Sequence, residues 1–180
     1  AMHLDEEKGI VTVEDAWQGA CDIVAENISD SAEVRKLLRR ELWNAGELVS
    51  ELIIDEKEAP EFLQYRDYSE PVRQLPPHRI LAMNRGEDKK ALKINLRCPD
   101  EKLIAKVAQK LNLKEQSPFY TYYHNALTDS YKRLLLPSLE RELRNELTEK
   151  AEKQAISVFA ANLRQLLLTQ PISGHTVLGL

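Results

Sequence analysis

Apolar residues recur at three- and four-residue steps through most of the chain, a pattern typical of amphipathic helices. The first such stretch covers residues 13–28 and begins at Thr12-Val13-Glu14-Asp15, a sequence that resembles a capping box. A second stretch follows another capping-box sequence, Asp30-Ser31-Ala32-Glu33, and ends before Gly46, a residue type common at helix C-termini. The sequence therefore predicts two helices before Gly46.

Two short runs carry a β signal instead. The run from Leu48 to Ile54 is β-prone, and apolar residues alternate with polar ones at a period of two in residues 91–97. We expect the two runs to form a small antiparallel element, paired with each other or as a hairpin sheet. Between them, residues 55–79 contain four prolines, which interrupt any long helix, so this segment is predicted to be irregular.

Further helices are predicted downstream of the irregular segment. A short helix opens at Pro77 and closes at Gly86, another follows Pro99, and a third starts at Ser117-Pro118. Its buried side is predicted to include Phe119 and Tyr123. For Tyr65, Tyr68 and the tyrosines from Tyr120 to Tyr123, core packing is the favoured interpretation, with stacking on nucleic-acid bases as the alternative. Trp17 belongs to the apolar stripe of the first helix.

The last predicted helix is the longest, because residues 138–169 contain neither Gly nor Pro. Pro137, just before it, either kinks the preceding helix or opens a new one. One apolar stripe runs along the helix: Leu139, Leu143, Leu147, Ala151, Ala155, Phe159, Leu163, Leu166 and Leu167. Its length of roughly 48 Å exceeds a compact domain of this size, so we expect it to brace neighbouring domains.

The predicted fold class is mainly α: multihelical, with a long helix near the C-terminus and a small antiparallel β element around residues 48–54 and 91–97. Composition agrees, since 43% of the 180 residues are hydrophobic and only 6 are Gly. No apolar run is long enough for a membrane span. Cys21 and Cys98 lie beside apolar residues, and we expect small buried side chains in a reducing compartment rather than a disulfide.

Charge is distributed unevenly along the chain, although the net charge is only −4. Residues 1–70 carry 7 basic and 18 acidic side chains, whereas residues 71–114 carry 11 basic and 4 acidic ones. The middle block is either a phosphate-binding surface or a solvated face balanced by the acidic first third. The residues predicted for nucleic-acid contact are Arg73, Arg79, Arg85, Lys89, Lys90, Lys93, Arg97, Lys102, Lys106 and Lys110.

Motifs for catalysis and metal binding are absent from the sequence. The four histidines lack metal-ligand spacing, and neither a nucleophile elbow nor a phosphate-binding loop occurs. Asp67, Glu70 and His78 are close in sequence, either as an acid–base cluster or, in the favoured interpretation, as groups that pin the irregular segment through ion pairs with Arg66, Arg73 or Arg79. We therefore predict no catalytic residue, no metal and no cofactor.

One segment is more specific than these patterns. The sequences Tyr65-Arg66-Asp67-Tyr68-Ser69-Glu70-Pro71 and Leu75-Pro76-Pro77-His78-Arg79-Ile80-Leu81-Ala82-Met83-Asn84-Arg85-Gly86-Glu87 resemble the bacterial Tex family of transcription accessory proteins. Three further stretches match that family in the same order. They are Leu4 to Gly9 with Ala16 to Ile28, Tyr131 to Ser138 with Glu140-Arg141-Glu142, and Val158 to Arg164 with Leu166 to Leu168.

The resemblance implies a longer protein than the given chain. In this family a helical N-terminal region precedes a YqgF domain with a ribonuclease-H-like fold, helix-hairpin-helix modules and an OB-type RNA-binding domain. By this comparison residues 1–170 are part of the N-terminal helical region, and residues 171–180 are a linker and the truncated first strand of the YqgF-like domain. No catalytic residue is carried over from the family.

The function implied by the resemblance is that of a non-enzymatic, cytoplasmic scaffold region. RNA or DNA is the expected partner, bound mainly through domains outside this chain, and no membrane is expected. The alternative is a protein-interaction module whose acidic helices, residues 13–45, dock on RNA polymerase or an associated factor.

Overall fold

The computed structural model describes residues 12–169 and Gly174. The predicted domain boundary at residue 170 and, apart from Gly174, the predicted linker and strand at residues 171–180 lie outside the described residues. The elements of the structure, in chain order, are α1 (Val13–Asp30), α2 (Ala32–Ala45), β1 (Glu47–Leu52), a 3-10 turn (Pro60–Tyr65), β2 (Asp67–Pro71), a second 3-10 turn (Val72–Gln74), α3 (Pro77–Asp88), β3 (Leu92–Arg97), α4 (Asp100–Lys110), α5 (Tyr120–Asp129), a π-helical turn (Ser130–Leu135) and α6 (Leu136–Leu167). The predicted fold class, mainly α with a small antiparallel sheet, is confirmed.

The first two helices begin at capped N-termini. Thr12 and Asp15 form the predicted capping box, since the side chain of each accepts a hydrogen bond from the backbone N–H of the other. The second capping box is wrong in its register. Asp30 is the last residue of α1, and Ser31 caps α2 because its hydroxyl accepts a hydrogen bond from the N–H of Val34. One extended residue, Ser31, thus separates the two helices.

The sheet has the strand order β2-β1-β3, and both pairings are antiparallel. The predicted pairing of the two β runs is confirmed by the register that places Leu48 opposite Leu96 and Leu52 opposite Leu92. The sequence analysis missed β2, which it assigned to the irregular segment. This strand pairs through its backbone on one side only, at an edge, where charged residues and Pro71 are tolerated.

Two elements outside the sheet make hydrogen bonds to its edge strand β3 and to its central strand β1. On the β3 side, the backbone N–H of Leu96 donates a hydrogen bond of 3.0 Å to the Glu140 carboxylate on α6. Beneath β1, the fully buried hydroxyl of Ser50 donates to the carbonyl of Tyr65, at the end of the first 3-10 turn. Helix α6 and the irregular segment (residues 55–79) are therefore both joined to the sheet by buried or half-buried hydrogen bonds.

Helix α3 does not close at Gly86, as the sequence predicted, but continues to Asp88. Gly86 is buried, and a Cβ atom there would lie 2.5 Å from Leu92 Cδ1 and 3.2 Å from Phe62 Cδ1. The glycine is required by this close approach of the helix to β3 and the 3-10 turn, and not by a helix stop. Lys90, with a φ of 56°, makes the left-handed turn that leads into β3.

The two glycines inside helices predict opposite effects of alanine. Gly86→Ala is expected to destabilise the fold by about 1–2 kcal/mol, because overpacking against Leu92 outweighs the gain in helix propensity. Gly19→Ala in α1 is the matched control, since no atom lies within 4 Å of a Cβ there, and it is expected to stabilise by about 0.5–1 kcal/mol. Urea unfolding measures both, and a stabilised Gly86→Ala variant would contradict the packing.

Helices α5 and α6 form one continuous path through the π-helical turn. Asp129 and Leu135 both have right-handed helical backbone angles. In the turn, the N–H of Leu136 donates to the carbonyl of Tyr131, five residues earlier. Of the two predicted roles for Pro137, the structure places it in the first turn of α6, where a missing N–H is tolerated. The local π geometry absorbs the lost α-helical hydrogen bond.

The predicted apolar stripe of α6 is buried only along its first half. Leu139, Leu143, Leu147 and Ala151 are buried, and α6 packs there on α3 and α2. From residue 152 onward every described residue of the helix is exposed. Phe159 is 66% exposed, and six more large apolar side chains accompany it: Ile156, Val158, Leu163, Leu166, Leu167 and Leu168. We call residues 152–169 the distal half of α6.

Candidate nucleic-acid interface

The ten predicted contact residues lie on five parts of the fold. Arg73 is in the second 3-10 turn, Arg79 and Arg85 are on α3, Lys89 and Lys90 follow that helix, Lys93 and Arg97 are on β3, and Lys102, Lys106 and Lys110 are on α4. All are exposed except Arg79, which is half-buried. Their accessibility is what a phosphate-contacting surface requires.

Five of the ten form ion pairs with glutamates of residues 33–70. The pairs are Arg79–Glu70 at 2.9 Å, Lys89–Glu61 at 2.9 Å, Arg97–Glu47 at 3.8 Å, Lys106–Glu41 at 2.5 Å and Lys110–Glu33 at 2.8 Å. The acidic first third of the chain thus folds against part of the basic block. For these five residues the structure matches the second interpretation made from the sequence, a solvated face balanced by acidic residues.

The ion pairs of Lys106 and Lys110 explain how α4 forms although its lysines are only four residues apart. Helix α4 packs on α2, and the hydrogen bonds from Lys106 and Lys110 lower the pKa of Glu41 and of Glu33 below the ordinary range. Each ammonium therefore has a carboxylate from the neighbouring helix, which offsets the repulsion between like charges four residues apart. Such exposed pairs contribute little to stability.

The other five candidate residues have no carboxylate at ion-pair distance within residues 12–169. They are Arg73, Arg85, Lys90, Lys93 and Lys102. Lys90 and Lys93 flank the start of β3, and Lys93 projects from the exposed face of that strand. These five side chains are the ones available to phosphate without breaking an existing pair in the described structure.

A polar groove of about 840 Å³ runs along the junction of α3 and α6 and is lined in part by Arg85. Arg141 and Arg144 of α6 also line it, although they are more than fifty residues away in sequence. Arg144 is bound to Glu87, and Asn84 donates to the Thr148 hydroxyl at 2.8 Å. The sequence analysis missed these arginines because the charge of residues 115–180 sums to zero, and only the packing of α6 on α3 brings them beside Arg85.

Asp67 and Glu70 of the irregular segment do not form an acid–base pair. Asp67 and Glu70 project to opposite faces of β2 because their sequence separation is odd. Glu70 accepts hydrogen bonds from Tyr68 and Arg79, while Asp67 pairs with Arg66 at 3.3 Å. The structure supports the ion-pair interpretation for Arg66 and Arg79. Arg73 makes no such pair among the described residues.

A buried polar contact joins α4 to the π-helical turn. The Tyr131 hydroxyl donates to Asp100 at 2.8 Å and lies 3.4 Å from the Cys98 sulfur. Burial raises the pKa of the Cys98 thiol to about 11 and that of the Tyr131 hydroxyl well above its usual range. Such a thiol is a poor nucleophile near neutral pH. Cys21 and Cys98 are both half-buried and free, which differs from the fully buried side chains expected.

Among the described residues there is no group of three His, Cys, Asp or Glu side chains placed to hold a metal ion. None of the helices in residues 12–169 combines the length and the apolar character needed to cross a bilayer.

Several aromatic residues that the sequence placed in the core lie at the surface. Trp17 is 42% exposed, and Phe119 and Tyr123 are about half exposed. The Trp17 ring stacks on that of Tyr122 at a centroid distance of 4.9 Å. The prediction of burial was wrong because α1 and α5 pack on each other through smaller residues, such as the buried Ala25 and Ala126. We call Trp17, Phe119, Tyr122 and Tyr123 the aromatic cluster.

Comparisons with known proteins agree with the family resemblance. A family model described as Tex central region-like matches residues 1–159. "Uncharacterized protein YdcI" of Bacillus subtilis (strain 168) is 40% identical over 180 residues, which cover 99% of this chain and 25% of that protein. "Transcriptional accessory protein Tex" of Neisseria gonorrhoeae is 36% identical over 171 residues, 92% of this chain and 23% of its own length.

A human relative carries a different name. "S1 RNA-binding domain-containing protein 1" of Homo sapiens is 33% identical over 185 residues, which cover 96% of this chain and 19% of that protein. The chain therefore spans about a fifth to a quarter of the length of these curated relatives.

Proposed function

The chain belongs to the Tex central region-like family, and from this premise we propose that it is a non-enzymatic helical scaffold within a cytoplasmic transcription accessory protein. In this role α6 holds other parts of a longer protein in position. The unpaired basic residues add an auxiliary contact to RNA or DNA, whose main binding sites lie in those other parts. The names of two relatives, one a transcriptional accessory protein and one an S1 RNA-binding domain-containing protein, support a role in transcription and an RNA partner for the longer protein.

The distal half of α6 carries the scaffold proposal. Its apolar residues have no covering partner within residues 12–169, although Phe159 and Leu163 continue the stripe that is buried from Leu139 to Ala151. An exposed apolar patch of this extent on a helix is typical of a docking surface. Since the relatives are about four to five times longer than this chain, additional protein is present in them to cover it.

The scaffold role is tested with Leu163→Ser/Leu167→Ser, made in this chain and at the equivalent positions of a longer protein that contains it. In this chain the double substitution is expected to lower the free energy of unfolding by no more than about 1 kcal/mol, because both side chains are exposed and the main loss is in helix propensity. In the longer protein it is expected to loosen the packing of neighbouring parts, seen by small-angle scattering as a larger radius of gyration. An unchanged scattering profile would contradict the proposal.

The nucleic-acid role predicts that unpaired lysines contribute more than paired ones. Lys90→Gln/Lys93→Gln is expected to weaken binding of a single-stranded RNA or duplex DNA probe about tenfold at low salt. It is also expected to reduce the slope of log affinity against log salt by about 1–2, because two phosphate contacts are lost. Fluorescence anisotropy with a labelled oligonucleotide measures both quantities.

The matched control is Lys106→Gln/Lys110→Gln, which removes the same charge from residues already paired with Glu41 and Glu33. We expect this variant to retain most of the affinity. Equal losses in the two variants would show a general charge effect without a specific contact. Absence of binding by the unsubstituted chain at low salt would exclude the nucleic-acid role and leave the scaffold role standing.

A further inference from the structure

An apolar groove runs between α1 and α5, away from the residues proposed for nucleic-acid contact. The aromatic cluster forms its walls, and Ala20, Cys21, Val24 and Ala126 form its floor. Its volume is about 260 Å³, which is below the range of about 300–1,000 Å³ usual for small-molecule sites. A groove of this size between two helices instead suits a few side chains inserted from a partner segment.

The rim of the groove is acidic. Helix α1 carries Glu14, Asp15, Asp22, Glu26 and Asp30 and contains no Lys or Arg. Glu14, Asp22 and Asp129 line the surface that extends from Trp17 and Tyr122. Arg133 is the basic residue on this side, and it pairs with Asp129 at 2.7 Å and with Asp22 at 3.8 Å. Three carboxylates against one guanidinium leave this side of the exposed aromatic rings with a net negative charge.

This combination excludes some occupants and favours one. A nucleic-acid strand would bring phosphates against α1, and that repulsion opposes stacking of its bases on Trp17 or Tyr122. A second copy of the chain docking through the same face would bring two acidic helices together, which is unfavourable for the same reason. A segment with apolar side chains on one face and Lys or Arg around them complements both the groove and its rim.

We propose that the groove between α1 and α5 docks a cationic amphipathic helix of a partner protein. Apolar side chains of that helix insert between Trp17 and Tyr123, and its basic side chains lie over Glu14 and Asp22. This interaction is independent of the scaffold role of α6 and of the nucleic-acid contact through the basic block.

The test uses a fluorescein-labelled peptide of about 18 residues, with leucines on one helical face and lysines elsewhere, added to the full 180-residue chain at low salt. A scrambled peptide of the same composition, which has no continuous apolar face, is the ligand control. We expect saturable binding of the amphipathic peptide, at least about tenfold tighter than that of the scrambled one, with an affinity that decreases as salt increases.

Three variants locate the binding. Trp17→Ser is expected to weaken it at least about tenfold, and Glu14→Lys to weaken it about threefold to tenfold with a smaller salt dependence. Ala20→Arg places a long side chain in the groove from an exposed position of α1 and leaves the aromatic cluster intact. It is therefore expected to abolish binding without loss of the fold. The control, Phe159→Ser, removes a more exposed aromatic ring from the distal half of α6 and is expected to bind normally.

Several results would overturn the proposal. They are no binding of the amphipathic peptide, equal binding of the scrambled peptide, or unchanged affinity in the folded Trp17→Ser and Ala20→Arg variants. Competition by a single-stranded RNA that itself loses affinity in Trp17→Ser would assign the groove to nucleic acid. A dimer of this chain in analytical ultracentrifugation, abolished by Ala20→Arg, would assign it to a second copy.

Discussion

Tyr131→Ala is expected to lower the free energy of unfolding by about 3–5 kcal/mol, the largest effect of any single substitution considered. Tyr131 is 0% exposed and is the largest fully buried side chain of the described residues. It lies in the π-helical turn that connects α5 to α6, and its hydroxyl bonds Asp100 at the start of α4. Its removal creates a cavity where α1, α4 and the long helix meet.

Two variants separate the ring from its hydroxyl. Tyr131→Phe keeps the ring and removes the hydroxyl donor to Asp100, which retains only the weaker thiol donor of Cys98 at 3.0 Å among the side chains described here, so a loss of about 1–2 kcal/mol is expected. Tyr122→Ala removes an exposed tyrosine that stacks on Trp17, and a loss of about 1 kcal/mol or less is expected. Chemical denaturation measures all three, and a Tyr131→Ala loss no larger than that of Tyr122→Ala would show that the turn is not part of the core.

The second large effect compares one substitution at two positions of α6. Leu143 is 2% exposed and Leu163 is 44% exposed. Leu143→Ala is expected to cost about 2–5 kcal/mol because it leaves a cavity, whereas Leu163→Ala is expected to change the free energy of unfolding by less than about 0.5–1 kcal/mol. Thermal or urea unfolding of this chain distinguishes the two.

The same pair also reports on the longer protein. There, Leu163→Ala is expected to become costly, because the docking of neighbouring parts buries that side chain. If Leu163→Ala destabilised this chain as much as Leu143→Ala, the distal half of α6 would already be packed and the scaffold proposal would lose its basis.

Local sequence signals predicted the helices and the central strand pair. The three- and four-residue apolar spacing identified the helical segments, and the alternation in residues 92–97 matches the burial of Leu92, Ile94 and Leu96. The Thr12 capping box is present with both of its hydrogen bonds. Apolar spacing, strand alternation and helix capping depend on residues within about four positions of each other, so the sequence alone is enough to predict them.

Features that depend on distant neighbours were missed. Strand β2 forms on a free edge of β1, and in Asp67-Tyr68-Ser69-Glu70-Pro71 only Tyr68 is of a residue type that favours a strand. Gly86 was interpreted as a helix stop, although the close approach of Leu92 and Phe62 is its physical cause. Periodicity also cannot distinguish a buried stripe from one left for another partner, which explains why Trp17 and Phe119 are predicted to be buried but lie at the surface.

At the candidate nucleic-acid interface, too, local features were predicted and contacts between distant residues were not. The sequence located the basic block correctly as a set of accessible side chains, but it could not assign their partners. Pairing of Lys106 with Glu41 requires α4 to pack on α2, and the position of Arg141 beside Arg85 requires α6 to pack on α3. Both are tertiary contacts across more than fifty residues of sequence.

Hydrogen exchange along α6 tests the central claim most directly. That claim is that one continuous helix has a core half and a half left exposed for other parts of a longer protein. In this chain alone, the amides of residues 139–151 are expected to be strongly protected and those of residues 155–167 weakly protected. In the longer protein, protection of residues 155–167 is expected to rise at least about tenfold, equivalent to about 1.4 kcal/mol. Equal protection of both halves in this chain, or no gain in the longer protein, would contradict the account.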